Sequence, residues 1–430
     1  MSTIQTFRNP VLSLWQSAIS KAGKNGVFLS ANENRMNHFV QVAQACMQGK
    51  KVPSSDTKGD IIDECLKIIV GLAIAEIHRD VKRYTELMNE FQMSTCDPGW
   101  LETLKLYLEF KKQKGTIPYI RYRQLSDFII PIPNTLKIAC IADWGTGSQA
   151  AEWLLKEVVA HQPDLIIHLG DIYYSGTMDE VQDHFLSIIQ KVAGNIPVYT
   201  LSGNHDMYSG GKGYYWLLRE LNQPASYFCL RNDYWQFLAM DTGLHDSNPF
   251  TISNNVTYLD PSEEIWHLDK LSTAGKRKTI LLSHHQLFSS LGVGKDELGQ
   301  PIGFNPNLKS AFHQVLDQVS LWLWGHEHNL IVFNPYLNLK KGRCIGSGAI
   351  PMMLEQRPYK PTPNLNLQGL KQPPTMNLKK AKLSVNRDGF YFHAYAMLSL
   401  KGSEAIIRYY QVNSIQRGKS RFVFSESLGP

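Results

Sequence analysis

Five short motifs constrain this chain more than any other feature, because each places polar side chains directly after an apolar, β-branched run. They are IADWG (141–145), HLGDIYY (168–174), SGNHD (202–206), SHHQ (283–286) and WGHEH (324–328). An apolar run that stops at Asp, Asn or His reads as a buried strand delivering its polar residue to a loop at the sheet edge. A parallel sheet gathers such loops along one edge, so residues far apart in the chain converge on one crevice. Carboxylate, amide, imidazole and phenol groups converging there form a donor set suited to a pair of small cations.

The motifs divide the chemistry among themselves. Asp143 ends the first strand, with Gly145 and Gly147 allowing a tight turn beside it. Asp171 ends the next, and its two oxygens can bridge two cations. Tyr174, three residues on, is within reach of the same ion, whereas Tyr173 reads as a packed aromatic. In SGNHD, Asn204 offers an amide oxygen to a metal and His205 a proton to a leaving alkoxide. Asp206 is expected to orient His205 through a hydrogen bond. His284 ends the run TILLS and is favoured as a ligand over His285. His326 and His328, one residue apart in a turn, can face neighbouring ions, with Glu327 solvated or in a structural pair between them. His161, His168, His184, His245, His267 and His313 read as core or surface residues.

Residues 1–130 read as a helical N-terminal region. Its strongest segment is 60–92, where Ile61, Ile62, Cys65, Leu66, Ile69, Leu72, Ala73 and Ile77 recur at helical spacing. Weaker stripes cover 12–19 and 36–43, and Asp97-Pro98 marks a helix start running to about Lys114. No residue here invites a chemical role. The region is expected either to pack on the catalytic domain or to be presented to a protein partner. From Pro131 the pattern becomes βαβ, giving a catalytic domain over 131–354. Residues 355–430 read as a proline-bearing loop or lid followed by β hairpins, around Asp388-Gly389, that complete the domain.

Composition limits the partners. A net charge of +6 without a dense basic block gives nucleic-acid binding no support, though it suits an anionic substrate. Six scattered cysteines without a CxxC pair argue against a zinc knot or a disulfide framework. No export signal opens the sequence, and its most apolar helical stretch, 66–77, is too short to cross a bilayer. A cytoplasmic enzyme is the expectation, with signal-independent export left open.

In order and spacing, the five motifs resemble the calcineurin-like metallophosphoesterase superfamily over about half the chain. That resemblance implies an α/β fold: a β-sheet sandwich flanked by helices. The superfamily usually carries a His two residues after the first Asp, where this chain has Gly145. Purple acid phosphatases also lack that His and place a metal-bound Tyr where Tyr174 stands, so the sequence is most similar to that branch. Gln286 replaces a common Pro. The resemblance implies a first ion held by Asp143, Asp171, Tyr174 and His328, and a second held by Asp171, Asn204, His284 and His326. Fe(III) would occupy the first site, with Fe, Zn or Mn in the second. The implied activity is that of a metal-dependent phosphatase using a metal-activated hydroxide. A phosphodiesterase acting on a cyclic nucleotide, nucleic acid or phospholipid headgroup is the alternative. A non-catalytic scaffold would show lost ligands, and here every ligand position holds a competent residue type.

Overall fold

The computed structural model describes residues 79–249, 256–367 and 382–428, apart from Pro98 and Glu297, together with residues 65, 67–69, 71, 72 and 75. The helices expected over 12–19 and 36–43, and the end of the proline-bearing loop, lie outside the described residues. The chain divides into two compact units, Met1–Leu101 with Pro351–Gln356, and Glu102–Ile350 with Arg357–Pro430.

In the first unit the expected helix over 60–92 is interrupted. Arg79 takes a left-handed φ of 55°, and Asp80 starts a fresh helix, Val81–Phe91, by accepting from the Arg83 amide at 3.0 Å. Asp97 accepts from the amides of Met93 and Gly99 just before the helix Trp100–Lys112. Cys65 and Cys96 form a disulfide. This corrects the expectation of no disulfide. The pairing joins residues 31 apart, a spacing that matches no linear motif, and only the fold of the helical segment brings the two together.

The second unit is built on two mixed sheets. One has the order β1 (Ile129–Pro131), β5 (Phe228–Arg231), β6 (Trp235–Ala239), β7 (Lys278–Leu282), β10 (Val319–Trp324), β12 (Gly342–Ile345) and β11 (Leu330–Val332). The other runs β15 (Arg421–Ser427), β14 (Glu404–Val412), β13 (His393–Lys401), β2 (Thr135–Ile141), β3 (Leu165–His168) and β4 (Val198–Thr200). A small ribbon, β8 (Gly294–Lys295) with β9 (Pro301–Ile302), stands apart. Strands β2, β3 and β4 are mutually parallel, as are β6, β7, β10 and β12. These are the runs of continuous apolar sequence, buried along nearly their whole length, as central parallel strands require. The expected α/β sandwich is what forms. A buried, two-pronged ion pair of Arg343 on β12 with Glu426 on β15, at 2.7 and 2.8 Å, ties one sheet to the other.

Strands β5 and β6 pair as an antiparallel hairpin. The C-terminal hairpin differs from expectation in its turn. β13 and β14 pair over their full length and reverse at Gly402-Ser403, while Asp388-Gly389 makes a smaller turn held by the Asn386 side chain. The long strand β13 lies against β2, which completes the sheet.

Candidate metal centre

All five motifs emerge at the carboxyl ends of parallel strands: β2, β3 and β4 in one sheet, β7 and β10 in the other. Three of the polar residues leave their strands in the left-handed region, Asp143 at φ 52°, Asp171 at 74° and His326 at 65°. Side chains other than Gly, Asn and Asp rarely adopt this conformation, and it tends to persist where a site over-determines the backbone. The sharp turn points each side chain back over the strand end.

Asp143 is fully buried. Its Oδ1 accepts from the Tyr173 hydroxyl at 3.0 Å and lies 3.5 Å from His328 Nε2, and its Oδ2 accepts from the His326 amide at 2.9 Å. Asp171 Oδ1 accepts from the His205 amide at 3.0 Å, and its Oδ2 sits 3.3 Å from His284 Nε2. Asn204 Oδ1 lies 3.2 Å from that same nitrogen and 3.0 Å from His326 Nδ1. Asp143, Asp171 and His284 offer ligand atoms all within 4.8 Å of one another, as do His284, His285 and His326.

The donor chemistry fits cations. His284 Nδ1 lies 2.9 Å from the Leu169 carbonyl, which can only accept, so that nitrogen carries the proton and Nε2 presents a lone pair. Asn204 Nδ2 donates to the Tyr208 hydroxyl at 2.5 Å, which turns its amide oxygen toward the two histidines. With the ring neutral, a lone-pair nitrogen, an amide oxygen and a carboxylate oxygen crowd together with no hydrogen between them. Burial lowers the proton affinity of His284, yet the Asp171 and Asp143 carboxylates prevail and raise its pKa to about 9. The cluster thus calls for positive charge at this point, and a metal ion supplies it while leaving Nε2 free to ligate.

The structure brings together Asp143, Asp171, Asn204, His284, His326 and His328, and it differs from expectation in two places. The phenol beside Asp143 and His328 belongs to Tyr173, whose hydroxyl is 3.2 Å from His328 Nε2. The Tyr173 amide donates to the Gly145 carbonyl at 2.8 Å, which lays that residue along the β2 turn. Tyr174, the expected ligand, reaches the site through its carbonyl, 2.7 Å from His205 Nδ1. That carbonyl orients His205, so the role expected of Asp206 is also corrected. The Asp206 carboxylate is turned away to accept from the amides of Gly203, Asp171 and Ile172 at 2.7, 3.0 and 3.2 Å. Burial, with the Asp171 charge nearby, pushes its pKa up to about 8 against the pull of those amides. Glu327 takes the second of its two expected forms, buried and paired with the Ser289 hydroxyl, from which it accepts.

Sequence reasoning missed Tyr208, four residues after Asn204, although that helical spacing signals contact. It also passed over His285, which lies 3.0 Å from Asp246 and from the Thr242 hydroxyl. Gly145 has a local reason. A Cβ there would come within 2.9 Å of the Asp171 carbonyl and of Ile172, so the position has no room for a side chain.

A buried parallel-strand edge thus carries two Asp, one Asn and three His with donor atoms suited to metal ions, and residues 136–330 match the calcineurin-like phosphoesterase family. Among solved structures, the chain is similar to purple acid phosphatase PPD1 from seeds of yellow lupin (Lupinus luteus), at 16% identity and a TM-score of 0.44, covering 69% of this chain and 55% of that one. It is also similar to GAP50, the anchor in the inner membrane complex of Plasmodium (16%, TM-score 0.42, covering 69% and 89%). A third similar structure is PhoD (13%, TM-score 0.44, covering 69% and 73%). The chain thus spans little more than half the length of the lupin protein. No curated protein matches it.

Proposed function

We propose that this chain hydrolyses phosphate monoesters at a two-metal centre. Asp143, Asp171, Tyr173 and His328 would hold the first ion, and Asp171, Asn204, His284 and His326 the second. The observation that carries this reading is the convergence of Asp143, Asp171, Asn204, His284 and His326 at one buried strand edge, with ligand atoms a few ångströms apart. The phenol at the first position, a hard anionic ligand once deprotonated, favours Fe(III) there, with Fe, Zn or Mn at the second. Bound in this way, the ions would neutralise charge on the phosphoryl oxygens and acidify water.

The protein's own part is positioning and proton supply. Asp171 sits between the two ligand groups, and its Oδ1 also fixes the His205 backbone. His205 Nδ1 donates to the Tyr174 carbonyl, so a proton passed to the leaving oxygen would come from Nε2 of the doubly protonated ring, which returns to the Nδ1–H tautomer. The rings of Tyr173 and Tyr208, with centroids 4.6 and 4.7 Å from that of His205, hold it in place and shield it from water.

Metal analysis of the purified chain with its visible spectrum tests the centre. The expected result is two ions per chain and a tyrosinate–ferric band, and a chain that takes up no more than one ion overturns the reading. For the substrate class, an aryl monoester is expected to turn over faster than the matching diester. His205→Ala should lose roughly 100-fold or more on substrates with poor leaving groups and much less on activated aryl esters. Equal loss on both would remove His205 as the proton donor.

A further inference from the structure

His285 has no part in the centre just described, yet its ring lies within it. The ring centroid is 4.5 Å from that of His326, tilted by 40°, and 4.9 Å from that of His284, nearly perpendicular. Both of its nitrogens are taken. Nε2 is 3.0 Å from Asp246 Oδ2, and Nδ1 is 3.0 Å from Thr242 Oγ1, which also accepts from the His285 amide. A carboxylate can only accept, so Nε2 carries the proton, and Nδ1 takes the hydroxyl hydrogen of Thr242. Thr242, Asp246 and His285 are all buried. His285 therefore has no lone pair left for an ion, and the grouping of His284, His285 and His326 is not a third cation site.

His326 is the ligand that needs such a neighbour. A metal-binding imidazole is usually oriented by a protein group on its other nitrogen, as Leu169 does for His284. His326 uses Nδ1 toward Asn204 and His284, and among the described residues none bonds its Nε2. The residue is only partly buried, and its backbone lies in the left-handed region.

We propose that His285 is a positioning residue for the second metal site: clamped at both nitrogens by Thr242 and Asp246, it presents a fixed ring face that sets the plane of His326 and so the direction of the His326 Nδ1 lone pair. This inference rests on the two-metal reading above. It also gives the loop 242–246, which holds no ligand, a function at the centre.

The test is metal stoichiometry by elemental analysis after dialysis of the full chain against a weak chelator, with zinc as the reloaded probe. Wild type is expected to keep two ions. His285→Ala should keep one, its second-site affinity falling 10- to 100-fold, with an unchanged circular dichroism spectrum. His285→Phe, which restores a ring face without hydrogen bonds, should recover part of that loss. Asp246→Asn serves where His285→Ala does not fold, and it too should weaken only the second ion. Variants that bind both ions with wild-type affinity overturn the proposal alone, as does a folded His285→Ala that loses both ions together. A wild-type chain that never holds two ions overturns the two-metal reading and this inference with it.

Discussion

At the scale of single residues, the centre depends on which tyrosine supplies the phenol. Tyr173→Phe removes the hydroxyl between Asp143 and His328 and should weaken the first ion roughly 10-fold or more, abolishing any tyrosinate band. Tyr174→Phe leaves its carbonyl on His205 intact and should change neither. Elemental analysis and absorption spectra of the two variants decide the assignment. Gly203 offers a second residue-scale prediction. A Cβ there would lie 2.0 Å from Asp171 Oδ1, a separation no carboxylate can tolerate. Gly203→Ala should therefore displace Asp171 and abolish metal uptake and turnover together, even if the protein folds. The motifs announced Asp143, Asp171, Asn204, His284, His326 and His328 because residue type and strand-end position sufficed to pick them out. The exchange of Tyr173 for Tyr174 was not readable, since which of two adjacent side chains faces an ion depends on the turn that follows a left-handed Asp171.

At the scale of elements, one buried acid joins two of the motif loops. Asp206 joins the turn after β3 to the turn after β4 by accepting three backbone amides. Asp206→Ala would leave those amides unmet in a buried place, at a cost of roughly 3 kcal/mol or more. Denaturant unfolding of the metal-free protein measures that loss, and a change within error of zero would show that water replaces the carboxylate. The parallel strands were readable from their unbroken apolar runs. The reversal at Gly402-Ser403 was not, because Asp388-Gly389 carries the stronger local turn signal while the pairing of β13 with β2 depends on residues more than two hundred positions away. The Cys65–Cys96 link escaped for the same reason. Disulfides of this kind persist in oxidising compartments, which stands in tension with a cytoplasmic setting. Peptide mapping of protein purified with its thiols blocked should find these two cysteines joined, and Cys140, Cys229 and Cys344, all buried, unreactive until the chain is denatured.

For the molecule as a whole, acid should act through buried histidines outside the proposed ligand set as well as through the site. Burial pushes the His267 pKa down to about 3 and that of His393 down to about 4, from an ordinary 6.5. Both are neutral in the fold and gain protons on unfolding. Their contribution to stability is complete above pH 6.5 and is lost as pH falls toward those folded values, by about 1.4 kcal/mol per pH unit for each. Thermal unfolding in chelator should show the melting temperature falling steadily from pH 6.5 to 4. A flat profile would mean that water reaches both rings. The described residues contain no helix long and apolar enough to cross a membrane.

Of the proposed ligands other than Tyr173, three follow β2, β3 and β4 in one sheet and three follow β7 and β10 in the other. A cation seated among them would rivet one half of the sandwich to the other along the edge where all five motifs emerge. Starving the protein of metal would then do more than silence it. The halves would be free to part at their open rim, and a chain grown without its ions should be clipped by protease along the motif loops long before its strands come undone.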